Sequence, residues 1–219
     1  MSSQSDIAHS VRRNGSGVKS AIGALAVIGL VVTMALDTKV VVIGSEEDVQ
    51  EGTFSPERFG QEMFPEIRQS VVSRAVEAPT LAAAISDDAA AAGKEYGVGG
   101  GIGPVVPVKF TGVAGEARSG VYTVNVEGVP EETTIRVQTG PAINGTDLRD
   151  ATGEITFGEF TNQIEYQDAG AGINNEMKRQ VLADIDTENL TGKTITVTGV
   201  FKLINPSNWL VTPVEMSVQ

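Results

Sequence analysis

The chain opens on a stretch without polar periodicity. Residues Ala21 to Leu36 read AIGALAVIGLVVTMAL, with no charge and no polar face between Ala21 and Val32 of the kind a buried core helix needs. As a helix at about 1.5 Å per residue this stretch spans roughly 24 Å, short of a hydrocarbon core of about 30 Å. Lys19 and Lys39 can snorkel, and Val40-Val41-Val42-Ile43 prolongs the apolar run, so the pattern predicts a membrane anchor within 21–43. The alternative is a signal segment cleaved near Ala35, where Thr33-Met34-Ala35 offers a small-x-small site.

A helical period follows. Ser55-Pro56-Glu57 supplies an N-cap, a first-turn proline and an acid matched to the helix dipole. Phe59, Met63, Ile67 and Val71 recur every four residues, with Phe64, Val72 and Val76 widening the stripe, which predicts an amphipathic helix kinked at Pro65. An alanine-rich stretch from Thr80 to about Lys94 places Leu81, Ala84 and Ile85 on one face. Both read as packing helices within a helical region, 44–96. Gly97 to Gly103 (GVGGGIG) with Pro104 and Pro107 then reads as a linker, 97–107. The spacing fits no G-x-G-x-x-G register, and a strand pattern rather than a helix start follows it.

From Val108 the pattern changes to short alternating or β-branched runs. Runs at Val108–Glu116, Val121–Val126, Thr133–Gln138, Thr194–Leu203 and Leu210–Val218 are separated by turn-formers such as Ser119-Gly120 and Asn205-Pro206-Ser207. Between the third and fourth runs, Ile164, Ile173, Met177, Val181 and Ile185 mark one side of a long helix. Three strands, a helix and two strands, with Gly112 where a barrel strand must bend, predict a five-stranded OB-like β-barrel over 108–219. The alternative is another small α+β barrel or sandwich. The expected class is α+β: a basic tail (1–20), a membrane helix, a helical region, and a barrel with a long helix between strands 3 and 4.

Charge sharpens this order. The first 39 residues carry Arg12, Arg13, Lys19 and Lys39 against Asp6 and Asp37, a net +2 out of a total of −12, so the remaining 180 residues hold −14. A basic flank before an apolar stretch keeps the tail cytoplasmic and sends the acidic body across the membrane. From Pro104 onward eight basic residues face fifteen acidic ones, which excludes nucleic acid as a partner. The chain has no cysteine, and its one histidine, His9, lies in the tail. Disulfides, thiolate chemistry, Ser-His-Asp triads and ordinary zinc sites are therefore out of reach. No cofactor and no metal is expected: Asp184-x-Asp186-x-Glu188 lacks the glycine and the final acid of a calcium loop. No catalytic residue is assigned.

The segment from Gly140 to Gln163 is the candidate binding region, because a long inserted loop dense in Arg, Asp, Asn and aromatic groups can converge hydrogen bonds on a small polar ligand such as a sugar. Its candidates are Arg149, Asp150, Thr161, Asn162 and Gln163, with Trp209 as a ring for stacking. Structural roles compete for each residue. Arg149 can pair with Asp147, Asp150 or Glu154, Thr161 can cap the long helix, and Trp209 can fill the core.

The run GPAINGTDLRDATGEITFGEFTNQIEY, the long helix and then LTGKTITVTGVFKLINPSNWLVTPVEM resemble a bacterial family of unknown function catalogued as predicted periplasmic lipoproteins. The resemblance extends upstream through Gly93-Lys94-Glu95-Tyr96-Gly97 and Phe54-Ser55-Pro56 to about Thr38. It implies an envelope location and, from the placement of members' genes beside those of sugar ABC transporters, an accessory role in uptake. It supplies no catalytic residues. Without cysteine this chain cannot be lipidated, so attachment falls to Ala21–Leu36. The expected protein is a non-enzymatic, single-pass membrane protein with a periplasmic domain that binds a small polar ligand or a sugar-transport component. The alternatives are an assembly module for an envelope complex and a carboxylate-dependent hydrolase.

Overall fold

The computed structural model describes residues 54–99 and 102–219, so the tail and the anchor expected over 21–43 lie outside the described residues. Ser55 opens helix α1, Pro56–Arg74, its hydroxyl accepting from the Arg58 N–H at 3.4 Å. The helix runs through Pro65 without interruption, where a kink was expected; the break falls instead in α2, Ala78–Tyr96, at Asp88 (φ −151°, ψ 100°). There the Asp88 carboxylate accepts from the Ala90 and Ala91 N–H groups at 2.9 and 3.0 Å and restarts the helix as an N-cap does. A two-residue strand, β1 (Val76–Glu77), lies between the helices and pairs in parallel with Val108 and Lys109 of the strand that follows, β2 (Val105–Arg118).

The five expected strands are present as β2 (Val105–Arg118), β3 (Val121–Asn125), β4 (Thr134–Gln138), β5 (Thr194–Lys202) and β6 (Asn208–Val218). Their pairings form a closed circuit in which β2 pairs β3, β3 pairs β4, β4 pairs β6, β6 pairs β5, and β5 returns to β2. All of these are antiparallel except β4 with β6. Besides the short β1, strand β2 serves two neighbours in the circuit: Val105–Val113 pairs with β5, and the stretch from Val113 to Arg118 pairs with β3. Gly112 sits where it changes partners. A Cβ there would lie 2.4 Å from the Asn125 carbonyl oxygen, so only glycine permits that approach.

Short helix α3 (Asp147–Asp150), a 3-10 turn at Phe157–Glu159 and helix α4 (Gln163–Met177) fill the connection from β4 to β5, and α4 runs on into a π turn at Lys178–Leu182. Ile173 and Met177 are buried as expected, but Ile164 is 71% exposed. Nine residues are roughly two and a half helical turns, which puts Ile164 on the far side of the helix.

Two cores hold the unit together. Leu81 and Ile85 of α2 pack with Phe110, Tyr122, Ile135, Phe201 and Trp209 of the strands. Phe64, Ile67 and Val71 of α1 pack with Ile173 and Met177 of α4 and with Leu148 of α3, over Val105, Val200 and Val214. The two long helices cross at glycines: a Cβ on Gly172 would fall 1.9 Å from the Pro56 carbonyl oxygen, and one on Gly60 2.3 Å from that of Gly172. The described part of the expected helical region, from Phe54 to Tyr96, is joined to the strands through these cores; the linker expected over 97–107 is cut short because Val105–Pro107 already belong to β2, and Phe54–Gln219 is one unit.

Candidate functional site

Helix α3 carries the site, and it is held at both ends. The buried Asn174 amide of α4 donates to the Ile143 and Gly145 carbonyl oxygens at 3.1 and 2.8 Å, fixing the chain that enters α3. Arg74 at the end of α1 donates to the Ala151 carbonyl at 2.7 Å, fixing the chain that leaves it. Leu148 is fully buried beneath. A helix of one turn has little stability of its own, so these tertiary bonds set its position.

Arg149, 6% exposed, lies with its guanidinium carbon 3.6 Å from the centroid of the Tyr166 ring. Its Nε donates to Asp150 Oδ1 at 2.9 Å, one terminal nitrogen lies 2.8 Å from the same oxygen, and the other donates to the Tyr166 carbonyl at 3.0 Å. Asp150 Oδ2 accepts from Thr146 Oγ1 at 2.9 Å and from Lys202 Nζ at 3.2 Å. Lys202 Nζ also lies 3.7 Å from Asp147 Oδ1. Burial raises the Asp147 pKa above the usual carboxylate value; Lys202 pulls it back and Asp150 adds to the rise.

Thr146, Arg149, Asp150, Tyr166 and Lys202 line a cavity of about 390 Å³, whose other walls include Val98, Val105 and Ile155. The arrangement is a polar pocket with fixed hydrogen-bonding groups, of a volume suited to a small ligand. A larger groove of about 630 Å³ lies between α2 and the β5–β6 loop. Alanine, glycine, proline, leucine and isoleucine line it, and Lys94 is its one charged group. It is wider, but no polar groups converge in it, so the smaller cavity is the better candidate. Among the described residues no group of three or more Asp, Glu, His or Cys is placed to hold a metal ion.

The expected site residues divide. Arg149 and Asp150 line the cavity, and Arg149 pairs with Asp150. Thr161, Asn162 and Gln163 do not line it; they are exposed at the start of α4. Asn162, rather than Thr161, is the cap: its Oδ1 accepts from the Ile164 and Glu165 N–H groups at 2.9 and 3.0 Å. The Thr161 N–H donates to Glu165 Oε2 at 2.9 Å. Trp209 is corrected outright. It is fully buried, stacked on Phe201 with ring centroids 4.6 Å apart, and its indole N–H donates to the Pro206 carbonyl at 2.8 Å, so neither ring face is open to a ligand. Sequence reading missed Lys202, Tyr166 and Thr146 as site residues. The alternation of β5 marks Lys202 as lying on the opposite face from Phe201, the one available signal for it.

The closed five-strand circuit with a helix between its third and fourth strands defines an OB-type fold. A crystal structure of an OB-fold protein from Thermotoga maritima has the same fold at a TM-score of 0.60 and 17% identity, over 76% of this chain and 99% of that one. The chain belongs to the family described as predicted periplasmic lipoprotein (DUF2291), whose model matches residues 25–217. No curated protein matches it. The family description puts its members in the periplasm, and this sequence has no cysteine to carry a lipid.

Proposed function

We propose that this protein is a binding protein of the bacterial cell envelope, held at the cytoplasmic membrane by Ala21–Leu36 with Phe54–Gln219 in the periplasm, and that it takes a small polar ligand in the α3 cavity. The reading rests on one observation: Thr146, Arg149 and Asp150 of α3 and its cap meet Tyr166 of α4 and Lys202 of β5 around one cavity. The protein serves a sugar-transport component as an accessory. It acts by binding rather than turnover, because both oxygens of Asp150 are engaged by donors and so poorly placed to take up a substrate proton.

Calorimetric titration and thermal-shift measurement against sugars and other small polar compounds test this. Lys202→Met is expected to weaken binding at least tenfold and Asn162→Ala to leave it unchanged; equal binding by both variants sinks the reading. One observation favours a second role, as an assembly module: the charges of Arg149, Lys202, Asp147 and Asp150 pair with one another and lock α3 to the sheet. Crosslinking in intact membranes is then expected to recover a stoichiometric envelope partner, and recovery of none counts against it.

A further inference from the structure

Resting on the reading of the α3 cavity as a ligand site, we infer that its ligand is uncharged and rich in hydroxyl or ether oxygens. The first ground is charge balance. Asp147 and Asp150 are matched by Arg149 and Lys202 through contacts of 2.8, 3.2 and 3.7 Å. Asp150 lines the cavity and Asp147 lies next to it on Lys202, so an entering anion meets a carboxylate and two cations already committed, and an entering cation meets those same two cations. In a partly desolvated site either ion brings a charge with no partner, whereas a neutral molecule does not.

The second ground is the inventory of open hydrogen-bonding positions. Asp150 Oδ1 accepts from Arg149 Nε, with a terminal guanidinium nitrogen 2.8 Å away, and Oδ2 accepts from Thr146 and Lys202, so neither oxygen of this carboxylate is without a donor. Arg149 donates through Nε to Asp150 and through one terminal nitrogen to the Tyr166 carbonyl, which leaves N–H groups on both terminal nitrogens. The Thr146 oxygen, already donating to Asp150 and contacted by Lys202 at 3.4 Å, has one lone pair left. The cavity thus offers donors with an adjoining acceptor, which a hydroxyl group satisfies from both sides. The remaining lining of Val98, Val105 and Ile155 suits the C–H face of such a molecule.

The test is titration calorimetry of the full chain with matched probes. Glucose and myo-inositol are the uncharged set, glucose 6-phosphate and glucuronate the anions, and glucosamine the cation. An uncharged probe is expected to bind at least tenfold more tightly than the charged ones. Lys202→Met leaves the cluster one negative charge in excess and is expected to shift preference toward glucosamine over glucose at least fivefold; Asp147→Asn leaves a positive excess and shifts it likewise toward glucuronate. Two variants of opposite sign guard against loss of folding in one. A charged probe that outbinds its uncharged counterpart in the unmodified protein overturns the inference and leaves the cavity as a ligand site. Binding by no probe overturns both.

Discussion

Replacing Gly172 by alanine puts the helix crossing to a direct test. The added Cβ falls 1.9 Å from the Pro56 carbonyl oxygen and 2.6 Å from its carbon, both backbone atoms that no rotamer change can move aside. The helices must separate by at least about 1.5 Å before that contact reaches ordinary van der Waals distance. Separation loosens Phe64, Ile67, Ile173 and Met177, all fully buried in the shared core. Overpacking costs about 1–3 kcal/mol, here at the upper end because the clashing atoms are backbone, against about 1 kcal/mol gained from alanine's helix propensity, so a net loss of about 2 kcal/mol is expected. Gly170 in the same helix is the control: its Cβ meets only Thr146 Cγ2, at 3.9 Å. Gly170→Ala is expected to stabilise by about 0.5–1 kcal/mol. Urea unfolding followed by far-UV circular dichroism reads both. With an m-value of about 2 kcal/mol/M, Gly172→Ala lowers the midpoint by about 1 M while Gly170→Ala raises it. A midpoint for Gly172→Ala at or above that of the unmodified chain refutes the close crossing.

Trp209→Ala removes a fully buried indole and its bond to Pro206, and is expected to cost about 3–5 kcal/mol in the same unfolding assay; an unchanged midpoint would place the ring at the surface. For Asp147 the folded-state pKa is raised by burial, so the folded chain binds more protons than the unfolded one between the two pKa values. That contribution to stability is complete below the unfolded pKa and is lost as pH rises through the folded one. Asp147→Asn therefore gains stability relative to the unmodified chain on going from about pH 3 to pH 7, measured as the difference in urea midpoints. A difference that stays constant or falls with pH contradicts the burial argument.

The strands were legible because each is an alternating or β-branched run bounded by turn-formers, and the OB-like order followed from their placement around a single long helix. Local phase was less secure. Ile164 was assigned to the buried stripe because it is apolar, although nine residues separate it from Ile173 and turn it outward. The Pro65 kink was expected from the missing N–H, yet α1 continues through it, with Phe64 and Ile67 fully buried on either side. At the site, Arg149 and Asp150 were visible as charges in an unusual loop. Lys202 was not, because the acids it meets stand 52 and 55 positions earlier and no local pattern links them. Asn162 showed the opposite problem. A polar residue before a helix has the same appearance whether it binds a ligand or caps the backbone, and here it caps.

Strand β2, shared between β3 and β5 in the circuit, also governs the order in which the domain can come into being. Val105–Val113 finds its β5 partners, Thr194–Lys202, about ninety residues later, and α1 waits about as long for α4. A chain emerging in sequence therefore carries an unmatched β2 edge and an apolar helix face through most of its length. Contacts this distant in sequence make folding slow, and partly emerged chains are prone to aggregate. A product ended before Lys202 has no ring to close, so such fragments should be substrates for proteases rather than smaller working versions. The circuit can close only once β5 and β6, its last strands, have been delivered.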